Sequence, residues 1–260
     1  MAGIQRNRFY PGDIAMTPDR YSSLFGGASG WFVVCVDACS YGRMGLYSAF
    51  SSLSVMADSK VVVSVSSLNE AVHETRPYAF NERAVRCLVV RLPSLAREAL
   101  LMLLQLSELI QHAAVGYRHV VVLSPFQTAG VQRLVTVMGL ANSRVVDARL
   151  PAPALCNALF FAPEKGMSES WLLSQILTAH ERRALYQTLQ FRSVPKQARM
   201  RQVSVKTIYS QRLSAFMKLG VKDMRSLLNL LVPLQKGGAG ELKHQESAEP
   251  LEAKRIRRWR

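Results

Sequence analysis

Five short apolar runs, WFVVCV at 31–36, KVVVSV at 60–65, CLVV at 87–90, HVVVL at 119–123 and RVVDA at 144–148, limit this chain more than any other feature. They are rich in Val and too short for buried helices, and they read as strands apolar on both faces. Amphipathic stretches such as 42–53, 95–114 and 128–140 separate them. A continuous apolar strand that alternates with helix-length segments belongs in a parallel sheet covered on both sides. Five such units predict a doubly wound α/β domain over residues 31–162.

A different pattern begins at Leu177. Ser204 stands where an N-cap should stand, just before Val205-Lys206-Thr207, so its hydroxyl can accept from the amides that open a helix. Ile208, Leu213 or Arg212, Phe216 and Leu219 follow at three- and four-residue spacing, and Gly220 closes the segment as a C′ glycine. The other face then carries Lys206, Thr207, Tyr209, Ser210, Arg212 and Gln211. Charge, hydroxyls and an amide suit a groove lined with phosphates and base edges. Taken alone, the segment reads equally as an amphipathic surface helix.

The wider stretch resembles the C-terminal module of the LuxR/FixJ (NarL) class of bacterial transcription factors, which starts Leu-Thr-x-x-Glu and closes on Lys-Thr-Val-x-x-His-Arg and Lys-Leu-Gly-Val. Here the matching residues are Leu177-Thr178, Glu181, Leu185, Leu189, Ser193, Ala198, Ser204, Lys206-Thr207-Ile208, Arg212 and Lys218-Leu219-Gly220-Val221. Departures are Phe191 for Gly, Pro195-Lys196-Gln197 for Lys-Glu-Ile, Arg201 for Leu and Gln211 for His; Gln197 and Arg201 fall where the family is normally apolar. The resemblance implies an all-α helix-turn-helix domain over 173–235. Its recognition helix would span 205–219 and its partner would be double-stranded DNA. Tyr209, Ser210 and Leu213 are the candidates for base edges; Lys206, Thr207, Arg212, Arg199 and Arg201 are those for phosphates.

The α/β domain is in turn similar to the flavodoxin-like receiver of response regulators. Asp37-Ala38-Cys39-Ser40-Tyr41-Gly42-Arg43-Met44-Gly45-Leu46 matches that family's Asp-Asp-His-Pro-Leu-x-Arg-x-Gly-Leu, with Ala38 replacing the second acid. After the third run the chain reads Val89-Val90-Arg91-Leu92-Pro93, so the phosphate-accepting aspartate has no counterpart; Ser124 stands where the switch hydroxyl would be, and Val146-Asp147-Ala148-Arg149 supplies no matching lysine. One carboxylate holds magnesium weakly, and Arg91 would repel it. The expectation is a pseudo-receiver with a degenerate pocket at Asp37, Arg91 and Ser124, no metal and no cofactor. Asp37 reads as a remnant paired with an Arg or as a surviving metal ligand.

Charge agrees with a C-terminal polyanion partner. From Trp171 to Arg260, 18 Lys and Arg stand against 6 Asp and Glu, which accounts for +12 of the chain's +15 and leaves +3 for residues 1–170. Residues 1–30 read as a flexible arm, 163–172 (PEKGMSES within it) as a linker, and 236–260, ending KRIRRWR, as a disordered basic tail that either adds phosphate contacts or is solvated. Asp223 caps a last helix whose Leu227, Leu228 and Leu231 either pair two modules, as the resemblance implies, or belong to the core. The expected assembly is a homodimer or a heterodimer with another response regulator, and RNA polymerase is a further candidate partner.

Other classes find little support. No window approaches 18 uncharged apolar residues and MAGIQRNRFY lacks a signal-peptide core, so a cytoplasmic protein without a membrane partner is expected. Cys35, Cys39, Cys87 and Cys156 show no zinc spacing; they read as small buried hydrophobes, with Cys35 and Cys39 alternatively a redox pair. His73, His112, His119, His180 and His244 are scattered, and neither a Gly-rich phosphate loop nor Gly-x-Ser-x-Gly occurs. The chain therefore reads as a regulator and not an enzyme. Two alternatives stand beside it: an adaptor that heterodimerises with a true response regulator and has little DNA specificity of its own, and a receiver phosphorylated at an unusual site.

Overall fold

The computed structural model describes residues 30–51, 60–76, 85–112, 116–117, 119–140, 143–151, 154–155 and 175–233. The predicted arm (but for Gly30), linker and tail, together with Cys156 and His244, lie outside them.

The five apolar runs form five strands: β1 (Trp31–Val36), β2 (Lys60–Val65), β3 (Val85–Arg91), β4 (His119–Ser124) and β5 (Ser143–Asp147). All pair in parallel, in the order β2-β1-β3-β4-β5. This is the flavodoxin-like order, with the reversal of winding between β1 and β3. Helices α1 (Ser40–Ser51), α2 (Leu68–Thr75), α3 (Ala96–His112) and α4 (Thr128–Val137) connect the strands. Side chains alternate across the pleat, so Phe32, Val34 and Val36 enter one apolar layer while Val33 and Cys35 enter the other with Leu46 and Phe50 of α1.

Four helices follow in the C-terminal segment: α5 (Ala179–Leu189), α6 (Val194–Arg201), α7 (Val205–Leu219) and α8 (Met224–Leu228). Apart from a small cluster of Val194, Ala198 and Ile208 between α6 and α7, they share the core of the α/β domain. Leu177, Leu185, Leu189, Ala215, Phe216, Leu219, Leu227 and Leu231 join the same buried cluster as Leu100, Leu103, Val131 and Leu134 of α3 and α4. Polar contacts follow the apolar ones. The Leu177 amide donates to the Val137 carbonyl at 2.8 Å and the Gln127 amide to the Val232 carbonyl at 3.0 Å; Arg97 Nε donates to the Leu189 carbonyl at 2.6 Å and Gln105 Nε2 to the Tyr186 hydroxyl at 3.0 Å. Gly130 of α4 lies so close to the Leu230 carbonyl that a Cβ there would collide with it.

Of the two readings of the α8 leucines, this packing favours the core. Leu227 and Leu231 are 1% and 3% exposed and Leu228 is half-buried, all within the shared core. Short α8 gains more by covering α3 in its own chain than by waiting for a second copy, because the apolar area it buries is available at no cost in association entropy.

Candidate nucleic-acid interface

Each helix of the C-terminal segment is closed by local chemistry. Thr178 Oγ1 accepts from the Glu181 amide and Glu181 Oε2 from the Thr178 amide at 2.7 Å, forming a capping box at the start of α5. Ser193 precedes α6, which takes Pro195 within its first turn, where a missing amide costs least. Gln202 then adopts φ 53°, and the Val203 amide closes back on the Ala198 carbonyl at 3.1 Å. Only Gln202, Val203 and Ser204 separate α6 from α7. Ser204 Oγ accepts from the Thr207 amide at 3.0 Å, and Gly220 ends α7 at φ 66°, as the sequence predicts.

The buried side of α7 is Ile208, Ala215, Phe216 and Leu219. Ile208 packs with Val194 and Ala198 and so fastens α7 to α6. Leu213 is not part of this stripe: it is 60% exposed. At about 100° per residue it falls nearly opposite Ile208 and Ala215. Arg212 is the residue that turns inward, half-buried, with its Nε enclosed.

A second layer orients α7 from behind. Glu181, 6% exposed, accepts from Ser214 Oγ at 2.6 Å and from Lys218 Nζ at 2.9 Å, and Lys218 Nζ also donates to the Ile176 carbonyl at 3.0 Å. Burial alone would raise the Glu181 pKa, but the bonds from Ser214, Lys218 and the Thr178 amide outweigh it and hold the carboxyl below its ordinary value. Sequence reasoning recognised Glu181 and Lys218 by resemblance without seeing that they pair. The positions that depart from the resembled family's pattern are accommodated only in part, since Gln197 Oε1, Arg201 Nη1 and Gln211 Oε1 are buried without a hydrogen-bond partner. Gln197, fully buried, donates to the Arg192 carbonyl at 2.8 Å and to Thr188 Oγ1 at 3.2 Å. Arg201 is half-buried beside His180, with Nη2 3.2 Å from Nδ1, and burial, with Arg183 nearby, lowers its pKa from the usual value. Phe191 takes φ 59° at the position where the resembled family has Gly. Its ring lies 3.9 Å from the Arg97 guanidinium, a contact worth about 0.5–1 kcal/mol that offsets part of the left-handed strain.

The outward face of α7 therefore presents Lys206, Tyr209, Ser210 and Leu213, with Arg199 exposed on α6. Thr207 is half-buried and its Oγ1 is 2.7 Å from Ser204 Oγ, so it serves the cap. Of the residues predicted to hold phosphates, Lys206 and Arg199 point to solvent, whereas Arg201 and Arg212 lie partly inside. A shallow cleft at the α6–α7 turn is lined by His180, Arg183, Arg201 and Gln211 and extends the cationic side of this surface.

At the carboxyl end of the sheet Asp37, Arg91 and Ser124, the residues expected to form a degenerate pocket, come together only in part. Asp37, 4% exposed, accepts from the Cys39 amide at 2.8 Å through Oδ1 and lies 3.4 Å from Arg91 Nη1 through Oδ2. Arg43 Nη1 donates to the Asp37 carbonyl at 2.9 Å, and Gly42 approaches the Asp37 carboxylate too closely to bear a Cβ. Ser124 is fully buried; its Oγ accepts from the Phe126 amide at 3.0 Å, so it closes a turn instead of facing an open pocket. Asp147 is engaged by Arg149 at 3.1 Å, whose hydrogen bond lowers its pKa despite the opposing effect of burial. These donors do not fit magnesium: both Asp37 oxygens are committed, a guanidinium occupies the approach and Ala38 adds nothing. Among the described residues no group of three or more His, Cys, Asp or Glu converges. No described helix is long and apolar enough to cross a membrane. Cys35 and Cys87 are buried as expected, but Cys39 is exposed at the start of α1, so it is neither a core residue nor paired with Cys35.

No family model and no curated protein matches this chain. Solved structures similar to it include the two-component response regulator RcsB in complex with DNA, at 22% identity over 78% of this chain and 99% of that one with a TM-score of 0.46. RcsB from Salmonella enterica serovar Typhimurium, bound to promoter rprA in the presence of the phosphomimetic BeF3-, matches at 22% identity over 78% and 98%, TM-score 0.46. The response regulator StyR matches at 17% over 78% and 98%, TM-score 0.34.

Proposed function

We propose that this chain is a sequence-specific DNA-binding transcription regulator of the LuxR/FixJ type that acts without phosphorylation. The observation that carries the proposal is the outward face of α7: a helix capped at both ends, fixed to α6 through Ile208 and to α5 through Glu181, that leaves Lys206, Tyr209 and Ser210 to solvent. A rigid helix with a cation and hydroxyls on its free face, set after a three-residue turn, suits entry into the major groove of double-stranded DNA. Lys206 and Arg199 hold phosphates, while Tyr209, Ser210 and Leu213 meet base edges. The α/β domain supplies no phosphoacceptor in this reading, because Val89-Val90-Arg91-Leu92-Pro93 holds no aspartate where the acceptor would stand, and Arg91 pairs instead with Asp37. Its control comes from abundance, a ligand or a partner regulator. A dimer would form through a face other than Leu227 and Leu231, which are covered.

The division of labour is tested by variants. Lys206→Ala should weaken binding on all DNA and lower the salt slope by about one unit, whereas Tyr209→Ala should change site preference. Equal effects of both on selected and random DNA would overturn it. The adaptor reading gains one observation: Tyr41 and Met44 on α1 are 83% and 67% exposed, an apolar pair suited to a partner regulator. Salt-sensitive, unselective DNA binding by the purified protein would favour that reading.

A further inference from the structure

The free face of α7 is more apolar than a phosphate-binding surface requires. Val205, Tyr209, Leu213 and Met217 recur every fourth residue and are 42%, 57%, 60% and 72% exposed. On a helix such a row forms one continuous ridge, and this ridge faces away from the side buried against α5 and α6. Lys206 and Ser210 follow Val205 and Tyr209 in the next row, both exposed. Lys206 and Leu213, seven residues apart, differ by only about 20° around the axis. An apolar strip bordered by a cation and a hydroxyl is thus the part of the protein that would enter a groove.

The major groove of B-DNA offers one apolar group, the C5-methyl of thymine; its other base-edge features are hydrogen-bond donors and acceptors. We infer that the Val205–Tyr209–Leu213 ridge reads thymine methyl groups, so that the sites this protein selects carry thymines at the steps the ridge contacts. The inference rests on the DNA-binding reading and goes beyond it by naming the base feature recognised. Charge favours DNA over an apolar protein surface as the occupant. Lys206 on α7 and Lys196 and Arg199 on α6 are exposed around the ridge, and residues 171–260 carry +12; cations so placed would be desolvated without compensation against an apolar partner but meet phosphates on a duplex. RNA fits less well, since its major groove is too narrow for a helix and uracil has no methyl.

The experiment selects sites from random-sequence duplexes with the full-length protein and then replaces each thymine of a selected site by deoxyuridine. That change removes the methyl and keeps every hydrogen-bonding group. Affinity should fall about fourfold for each contacted methyl, the factor expected for one buried methyl-sized group. Leu213→Ala, at an exposed position where folding is readily verified by circular dichroism, should abolish part of that difference, whereas Lys206→Ala should weaken binding to both duplexes equally. Selected sites without thymine, or equal binding of thymine and deoxyuridine duplexes, would overturn the methyl inference and leave the DNA reading intact. Absence of any sequence preference would overturn both.

Discussion

Replacing Glu181 by Gln should reveal how firmly α7 is held. In the native chain the carboxylate is enclosed and accepts from Ser214 Oγ, Lys218 Nζ and the Thr178 amide at 2.6, 2.9 and 2.7 Å. Gln keeps the shape and one acceptor oxygen but removes the charge that Lys218 faces. Charge-assisted hydrogen bonds are about twice as strong as neutral ones, so the exchange should cost about 1–2 kcal/mol. Ala should cost about 3 kcal/mol, the lower end for breaking a buried pair; Lys218 retains the Ile176 carbonyl and is 22% exposed. The dependence on pH has a fixed sign. Because the folded pKa of Glu181 is depressed, its contribution is present above the unfolded carboxylate's pKa of about 4.3 and is lost as pH falls through the lower folded value. Urea unfolding followed by circular dichroism at pH 7 and in acid should therefore show a gap between native and Glu181→Gln proteins that narrows in acid. A gap below about 0.5 kcal/mol at pH 7, the level of ordinary surface substitutions, or one that persists unchanged in acid, would refute the reasoning.

Further outcomes follow from the packing and the pocket. Gly130→Ala should lower stability by about 1–3 kcal/mol, since its methyl meets the Leu230 carbonyl and no flexible side chain can yield; an unchanged unfolding midpoint would contradict the close approach. Alkylation of the native protein at mildly alkaline pH should label Cys39 and spare Cys35 and Cys87, because burial raises both thiols, Cys87 to about 12. Peptide mass mapping before and after unfolding reads the difference. Incubation with acetyl phosphate and magnesium should add no phosphoryl group, since no aspartate stands at the end of β3 to accept it and Asp37, the acid beside it, is paired with Arg91. A gain of one phosphoryl mass would restore the receiver chemistry.

The sheet was legible because Val-rich runs have few other destinations. The runs at 31–36 and 60–65 coincide with β1 and β2, and the other three differ from their strands by one or two residues at an end. Helix α2 was missed because it is short: its inward residues Leu68, Ala71 and Thr75 recur at helical spacing for only eight residues, too brief a run to stand out. At α7 both caps were readable, since Ser204 and Gly220 act through their own backbone neighbourhood. Whether Arg212 or Leu213 faced inward was not, because either satisfies a loose three-and-four spacing. The shared core was illegible for a deeper reason: an apolar stripe such as Leu227 and Leu231 records that something covers it, not whether that is α3 of the same chain or a second copy. Nor did sequence distance suggest that Arg97 would meet Phe191.

The central claim is that α7 makes this chain a selective DNA binder, and the most direct measurement is recovery of fragmented genomic DNA by the purified full-length protein at two salt concentrations, beside Lys206→Ala and Tyr209→Ala. The account predicts a few defined fragments that persist at the higher salt and are lost or exchanged in the variants. Binding that is unselective, disappears with salt and is indifferent to Tyr209 would contradict it.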